Sequence, residues 1–257
     1  PTITFSDVSK TYGESDFDLS ATSSSTGAFT YTISDANVAT VTGSTTTIVG
    51  AGTTTVTVSQ AADTNYNTAT ATMTLTVSQA DLSTTSITAI PDQTYTGSAI
   101  TISPTVTFNG STVTETTDYT VVFTNNTNAG TASLTITGTG NFTGTKTVSF
   151  TIVKADPTIT FSDVSKTYGE SDFDLTATSS STGAFTYTIA DANVATVTGS
   201  TTTIVGAGTT SVTVTQASDS NYNSATATMT LTVSQADIAR ANVANITDQT
   251  YTGSAIT

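Results

Sequence analysis

The feature that most constrains the fold is a strict two-residue alternation within residues 70–81, TATMTLTVSQAD. From Ala71 to Val77 every second residue is apolar, and threonine occupies each position between them. A period of two is typical of a β-strand with one buried and one solvent-exposed face, and β-branched threonine suits the exposed face. The same strand and the same SQAD sequence recur within residues 226–237. The pattern therefore predicts a repeated β-module that ends in a repeated joint.

Two long segments of the chain are near copies of each other. Residues 1–81 and 157–237 align at an offset of 156 residues and differ at seven positions, all of them exchanges among Ser, Thr and Ala. We call this segment module A and its copies A1 and A2. Residues 82–156 form a different segment, module B, which ends in the related joint VKAD. Residues 248–257 repeat residues 92–101 without change, so we expect residues 238–257 to be the truncated start of a second module B in a longer A-B-A-B array.

Both module types are predicted to be small Ig-like β-sandwiches, and the whole chain an all-β tandem array in an extended rod. Short alternating runs are separated by turn sequences rich in Gly, Asn and Asp, without any helical period. In module B, Ile100 and Ile102 alternate, and Asn109-Gly110 is a strong signal for a type I′ hairpin. Modules of this size without disulfides need aromatic burial. The aromatic core expected for A1 consists of Phe5, Tyr12, Phe17, Phe29, Tyr31 and Tyr66.

Composition excludes several classes of function. The 5 basic residues stand against 19 acidic ones, giving a net charge of −14, which repels nucleic-acid phosphates and anionic lipid surfaces. The chain contains neither Cys nor His, so it has no disulfide, no thiolate metal site and not the commonest general base. The chain contains no apolar run of about 18 residues, the length needed to span a membrane. Since the sequence starts at Pro1 without a signal peptide, we expect it to be a mature fragment that lacks its targeting information. We therefore expect no enzyme activity and no cofactor.

Short motifs in both modules point to a family. Module B carries YTG at 95–97, NNTNAG at 125–130 and ITGTGNFTG at 136–144. Module A carries KTYG at 10–13, VATV at 38–41, GAGTT at 50–54 and NYN at 65–67. These motifs resemble bacterial Ig-like (MBG/Big-type) tandem repeats of giant Bacteroidota cell-surface adhesins, of which gliding-motility adhesins are one candidate. The resemblance implies an extracellular stalk on the bacterial cell surface, and it brings no catalytic residues.

Two acidic segments of module A are candidates for calcium binding. Glu14, Asp16 and Asp18 alternate, which in an extended segment would place three carboxylates on one face, and Ca²⁺ prefers such oxygen ligands. The simpler interpretation is a solvated face beside Lys10. A2 repeats the triplet as Glu170, Asp172 and Asp174. The segment 63–67, DTNYN, is similar to the start of a calcium loop but lacks the glycine and the later glutamate of such loops, so a turn stabilised by its Asp and Asn residues explains it better.

Covalent modification is the other open question for this chain. Isopeptide bonds of the kind found in some surface Ig-like domains need a lysine inside a buried strand, whereas Lys10 lies in a polar turn and Lys154 in a joint. The remaining lysine candidates are Lys146 and Lys166. Bare N-glycosylation sequons occur at 109–111, 125–127 and 141–143, as expected by chance in a chain so rich in threonine.

Two functions of different class remain after these exclusions. The first is a structural stalk, because the joints are short, contain no glycine and continue a strand directly, which predicts a semi-rigid array whose partners are its own neighbouring modules. The alternative is that the modules themselves bind surface glycans, ice or another substratum. A glycan site usually needs exposed aromatic rings, so the exposure of Tyr and Phe side chains discriminates between the two.

Overall fold

The computed structural model describes residues 1–237, 250 and 253. The expected start of a second module B, residues 238–257, thus falls outside the described residues apart from two isolated positions. In the described part, regular structure is β-strand except for one short 3₁₀ helix, Leu82–Thr84. The chain forms two compact units, Pro1–Val153 and Lys154–Thr257. No helix among the described residues is long and apolar enough to cross a membrane.

Module A1 folds as a sandwich of two facing sheets. One sheet has the order β2-β9-β8-β5 and the other β3-β7-β6, while β1 pairs with β4. Strand β2 runs parallel to the last strand β9, and the other pairs are antiparallel. The strands are β1 (Ile3–Thr4), β2 (Val8–Thr11), β3 (Phe17–Asp18), β4 (Thr22–Ser23), β5 (Phe29–Ile33), β6 (Ala39–Thr42), β7 (Thr45–Ile48), β8 (Gly52–Gln60) and β9 (Ala69–Ser78).

The alternation that opened the sequence analysis is confirmed in β9. Met73, Leu75 and Val77 are buried, while the threonines between them face outward or are half-buried. They pack between the two sheets with Val56 of β8 and Ala39 of β6. The expected aromatic core is confirmed only in part. Phe5, Tyr12, Phe17 and Tyr31 pack against this cluster.

Tyr66 is a correction to that expectation, because its side chain is 39% exposed. It lies in the 63–67 turn, where the Asp63 carboxylate accepts hydrogen bonds from the backbone N–H groups of Asn65 and Tyr66. These bonds hold the segment as a surface turn and not as a strand. Its tyrosine therefore does not alternate into the core.

Residues 80–153 form the second sandwich of the first unit. One sheet has the order β12-β18-β16-β15 and the other β11-β13-β14, and β10 pairs in parallel with β17. Both sheets contribute to a core around Val106, Leu134 and Ile136. The strands are β10 (Ala80–Asp81), β11 (Ser86–Ile87), β12 (Gln93–Thr94), β13 (Val106–Phe108), β14 (Ser111–Thr112), β15 (Tyr119–Thr124), β16 (Gly130–Gly138), β17 (Phe142–Thr143) and β18 (Thr145–Val153).

The hairpin expected in module B is confirmed. Phe108 of β13 pairs with Ser111 of β14, and the two residues between them, Asn109 and Gly110, have φ of 48° and 81°. Two positive φ values in a two-residue loop are the requirement of a type I′ turn. By contrast, Ile100 and Ile102 pack against the core cluster around Phe150 without belonging to a strand.

Module A2 repeats the sandwich of A1 strand for strand. Its sheets have the orders β20-β27-β26-β23 and β21-β25-β24, and β19 pairs with β22. Its core lies between the sheets around Val212, Leu231 and Val233. The strands are β19 (Ile159–Thr160), β20 (Val164–Thr167), β21 (Phe173–Asp174), β22 (Thr178–Ser179), β23 (Phe185–Ile189), β24 (Ala195–Thr198), β25 (Thr201–Ile204), β26 (Gly208–Gln216) and β27 (Ala225–Ser234). The chain is thus an all-β tandem array of Ig-like sandwiches.

Candidate functional site

The acidic triplet of A1 lies on the surface, and two of its members bind protein groups. Glu14 forms a salt bridge with Lys10, 3.1 Å between Oε2 and Nζ. This hydrogen bond from Lys10 is the main reason that the pKa of Glu14 lies below its ordinary value. Asp18 accepts hydrogen bonds from the hydroxyls of Ser44 and Thr45. Across the described part of the chain, no group of three or more His, Cys, Asp or Glu residues is placed to hold a metal ion.

The 63–67 segment is organised around a single carboxylate. The Oδ2 atom of Asp63 accepts hydrogen bonds from Ser25 Oγ at 2.9 Å and from the Thr26 N–H at 2.8 Å, and Oδ1 accepts from the Asn65 and Tyr66 N–H groups at 2.7 and 2.8 Å. The backbone donor of Thr26, followed by that of Asn65, holds the pKa of Asp63 far below its ordinary range. Both carboxylate oxygens thus accept hydrogen bonds that stabilise the turn.

The lysines considered for isopeptide bonds donate to carbonyls or pair with acids. Lys146 Nζ donates to the carbonyl oxygens of Ser83 and Thr85, and Lys154 Nζ donates to the carbonyl of Asp219. Lys10 lies in strand β2 and not in the expected polar turn; it pairs with Glu14 and lies 5.0 Å above the ring of Phe17. Its counterpart Lys166 forms the same kind of salt bridge and ring contact in A2. Lys146 therefore helps to fix the start of module B by binding the 3₁₀ turn.

The best-built site of the first unit is the junction between A1 and B. Tyr12 of A1 stacks on Phe108 of B, with ring centroids 6.3 Å apart and an interplanar angle of 11°. It also meets Phe142 edge to face at 5.4 Å and 82°, and the two phenylalanines meet at 5.1 Å and 90°. Tyr12 packs against the core cluster of each module. One side chain therefore joins the two hydrophobic cores.

Backbone pairing continues across the joint. Ala80 and Asp81, strand β10, pair in parallel with Phe142 and Thr143, strand β17, and the Ala80 N–H donates to the Asn141 carbonyl at 3.0 Å. Ala80 is only 2% exposed. The second half of the joint is thus a strand that pairs with module B, so the joint has little freedom to rotate.

Three side-chain hydrogen bonds complete the junction. The Ala51 N–H of A1 donates to Asn141 Oδ1 of B at 2.8 Å, over a sequence separation of 90 residues. Gln79 Nε2 donates to the Gly140 carbonyl at 2.8 Å. Asn109 Nδ2 of the type I′ turn donates to the Gly13 carbonyl at 2.8 Å. Each bond joins a loop at the end of A1 to a turn of B, and together they fix the register of the two surfaces.

Close approach at this junction requires glycine at position 13. A Cβ atom on Gly13 would lie 2.3 Å from Cε1 of Phe108, closer than two carbon atoms can approach. The residue also has a φ of 87°, which a residue with a side chain rarely adopts. The sequence predicts Tyr12 as a core aromatic residue of A1 and shows Gly13 only as part of the KTYG motif. The need for glycine at position 13 to leave room for a ring of module B depends on which modules are in contact, and the sequence alone does not show this.

Module A2 receives the preceding joint in a related way. The Ala155 N–H donates to the Asn221 carbonyl at 3.0 Å, and the Asn223 N–H donates to the Ala155 carbonyl at 2.9 Å. The bridge is parallel, between Ala155 and Tyr222. In both cases the Ala of a joint pairs with an Asn-aromatic turn: Asn141-Phe142 in B and Asn221-Tyr222 in A2. The sequence indicates only a sequon at 141–143 and an Asx turn at 63–67, the A1 counterpart of 219–223, and it does not reveal this shared role.

Exposed aromatic rings distinguish a glycan-binding module from a spacer, because a glycan site usually needs them. Among the large hydrophobic residues that are exposed in the described part of the chain, the aromatic ones are Tyr66 at 39% and Tyr168 at 51%. Tyr66 lies in the 63–67 turn, at the position that corresponds to the joint-binding Tyr222 of A2. Tyr168 corresponds to the junction residue Tyr12. Both exposed rings therefore sit at positions that serve joints or junctions in the other copy of module A.

Comparisons with known proteins return structural likeness only. No protein-family model matches the chain, and no curated protein matches it. The I-band fragment from titin is similar over 90% of this chain and 98% of its own, with 12% identity and a TM-score of 0.35. Drosophila N-cadherin EC1-3 is similar over 90% of this chain and 98% of its own, with 13% identity and a TM-score of 0.28. Mouse cadherin-23 EC22-24 is similar over 90% of this chain and 96% of its own, with 12% identity and a TM-score of 0.28.

Proposed function

We propose that this chain is a structural spacer of a repetitive bacterial cell-surface adhesin, in which tandem Ig-like modules project an adhesive region away from the cell. The single observation that carries the proposal is the interlocked junction of A1 and B. A sandwich that only presented a binding loop would have no need for an aromatic contact and matched hydrogen bonds to its neighbour. A spacer needs them, because they limit bending.

The physical argument concerns the joint first. Residues 78–81 contain no glycine, and two of them are paired as a strand, so they cannot act as a random-coil tether. Tyr12 then packs against both cores, so bending at this joint would separate buried rings. Such a junction resists tilt by the cost of exposing aromatic surface, about 25 cal/mol per Å².

The proposed domain organisation follows the repeats: module A at 1–81, module B at 82–156, a second module A at 157–237 and the start of a second module B at 238–257. Near-identity of the two A copies supports a role in which the number of modules matters. Repetition of one A-B pair would give an extended semi-rigid rod in which successive A modules are related by a constant rotation and translation.

The extracellular bacterial location and the candidate role in gliding motility rest on the motifs of the repeats. A chain without Cys suits a surface exposed to changing redox conditions. A low content of basic residues suits a stalk that must not adhere to anionic membranes. In this proposal the chain is not an enzyme and needs no cofactor, and its partners are its own neighbouring modules.

Binding of glycans or other substrata by the modules is the alternative. It would use exposed aromatic rings, and the two found, Tyr66 and Tyr168, occupy module ends and not a shared face. A glycan array probed with the chain tests this alternative. Strong binding that is lost in a Tyr66→Ala, Tyr168→Ala double variant would favour it over the spacer.

Small-angle X-ray scattering of the full chain tests the spacer function. A compact globule of this length has a radius of gyration of about 18 Å, and the rod predicts a clearly larger value with a narrow distribution of shapes. A variant with Tyr12→Ala should broaden that distribution by loosening the junction. A radius near the globular value, or a broad ensemble for the unmodified chain, would contradict the proposal.

A further inference from the structure

A second copy of the junction surface lies exposed at the end of A2. We call it the end surface; it consists of Tyr168, Val205, Gly206, Ala207, Gln235 and Ala236. Each of these residues has an identical counterpart in A1, at 12, 49, 50, 51, 79 and 80. In A1 four of these counterparts contact module B: Tyr12 through its ring, Ala51 and Ala80 through their N–H groups, and Gln79 through its amide.

The two surfaces differ in what covers them. Tyr168 is 51% exposed, whereas its counterpart Tyr12 is half-buried, and Gly206 is half-buried where its counterpart Gly50 is buried. Ala236 is exposed, whereas its counterpart Ala80 is buried at 2%. A Cβ atom on Gly169 would meet no atom within 4 Å, whereas one on Gly13 would overlap the ring of Phe108. The end surface is therefore an apolar face with the shape that fits a module B.

The backbone of the end surface is already in the docked form. The Tyr168 N–H donates to the Ser234 carbonyl at 2.8 Å, as the Tyr12 N–H donates to Ser78 at 2.9 Å. Gly169 has a φ of 91°, close to the 87° of Gly13. Because these groups hold the same geometry with and without a neighbour, docking requires no rearrangement of A2, and little ordering entropy would be lost on binding.

We propose that the end surface is a docking site for a B-type module, bound through the contacts that A1 makes with B. The ring of Tyr168 would stack in the slot formed by the rings equivalent to Phe108 and Phe142. The N–H groups of Ala207 and Ala236 would donate to the side chain and the carbonyl of the residue equivalent to Asn141.

The argument for this occupant rests on the chain itself. The joint that leaves A2, SQAD at 234–237, is identical to the joint that leads into B at 78–81. Residues 248–257 repeat residues 92–101 of B. The partner groups of Tyr12, Ala51 and Gln79 belong to turns that B has at 108–109 and 140–142, so the complementary surface exists in a known module. The proposal rests on this junction geometry and not on the extracellular role.

Amide hydrogen exchange followed by NMR tests the proposal in two forms of the chain. One is the 257-residue chain. The other carries residues 82–156 directly after Asp237, in place of residues 238–257, so that a complete module B follows A2 through the natural joint. We expect the Ala207 and Ala236 amides to gain protection in the longer chain, to the level of Ala51 and Ala80.

A matched pair of glycine variants makes the test specific. In the longer chain, Gly169→Ala should abolish the gained protection, because its methyl group would overlap the stacked ring. Gly199→Ala is the control: it also places a side chain at a positive φ, 64°, and its Cβ would also meet no atom within 4 Å, but it lies in the turn between β24 and β25. This control should leave the protection in place.

Two results would overturn the proposal. In the first, the added module B is folded, as shown by protected amides in its β15 and β16 equivalents, while Ala207 and Ala236 exchange as fast as in the 257-residue chain. In the second, the 257-residue chain self-associates in sedimentation experiments and gains the same protection at high concentration, which would assign the surface to a second copy. Neither result would depend on whether the array acts as a spacer.

Discussion

Replacing Tyr12 with alanine should separate the stability of the junction from that of the module. Tyr12→Ala removes a half-buried ring that packs against the cores of A1 and B. The equivalent change Tyr168→Ala removes the same ring from A2, where it is 51% exposed. Both substitutions remove a ring from the same position of module A, so the difference between them reports the contacts that Tyr12 alone makes: its ring pairs with module B and its packing on the A1 core.

The magnitude of that difference follows from the two ring pairs with Phe108 and Phe142. Aromatic pairs contribute about 0.5–1.5 kcal/mol each beyond the area that they bury, so the junction share is about 1–3 kcal/mol. Since 1.4 kcal/mol is a factor of ten in an equilibrium constant, amides that exchange by opening of the junction should exchange about 5 to 150 times faster in Tyr12→Ala.

Native-state hydrogen exchange read by mass spectrometry can assign the effect to a module. Peptides that contain one of the exchanged positions, or the substitution itself, distinguish A1 from A2 by mass or sequence, so both copies are followed in one experiment through these peptides. We expect Tyr12→Ala to weaken protection in A1 and in B, including β17, and Tyr168→Ala to weaken A2 alone and by less. Equal effects of the two substitutions, or a module B untouched by Tyr12→Ala, would refute the reasoning.

Three further predictions concern single modules. Leu231→Asp places an unpaired carboxylate at a fully buried position and should lower the free energy of unfolding of A2 by several kcal/mol. Calorimetry should then show A2 unfolded and A1 folded, whereas Thr230→Asp, on the exposed face, should leave A2 folded. Backbone hydrogen bonds depress the pKa of Asp63 and of Asp219 in the folded protein. Their contribution to stability is therefore present above the unfolded pKa and is lost as pH falls below roughly 4. A variant with both residues changed from Asp to Asn should show a smaller fall in melting temperature between neutral and acidic pH. Calcium should raise the melting temperature no more than an equal ionic strength of NaCl; a clearly larger rise would make residues 14, 16 and 18 ligands.

Local patterns were enough to predict much of the fold. The alternation of residues 71–77 and the Asn109-Gly110 turn each depend on a physical rule that acts within a few residues, and both are confirmed. The failures are positions where hydrogen bonding or packing decides the structure and hydrophobicity or spacing alone does not. Tyr66 has a large aromatic ring of the kind that packs into cores, but hydrogen bonds to the Asp63 carboxylate hold its segment in a surface turn. Ile100 has the spacing of a strand, yet it packs on the core without a sheet partner.

The junction was predicted in outline and missed in detail for the same reason. Short joints without glycine imply that neighbouring modules touch, since chain length alone limits their separation. The choice of Tyr12 and Asn141 as the contacting residues depends on how two folded surfaces meet across 90 or more positions, and no periodicity in the sequence reports that. At Asn141 the sequence shows only a sequon of the kind expected by chance, and it gives no indication of the hydrogen bond with Ala51.

The differences between the two A copies bear on how the repeats work. The seven exchanged positions are exposed in both copies, except that Ser59 is half-buried in A1, and they fall on strand faces and loops. The end surface is unchanged, although in A2 it is as exposed as those positions. Exposure alone therefore does not decide where A1 and A2 differ. Burial within a module accounts for the unchanged core. Contact with a neighbouring module B, seen at Tyr12 and proposed at Tyr168, gives the contacting residues of the end surface a similar physical reason to remain unchanged, because a side chain such as Tyr12 has to fit two folded modules at once.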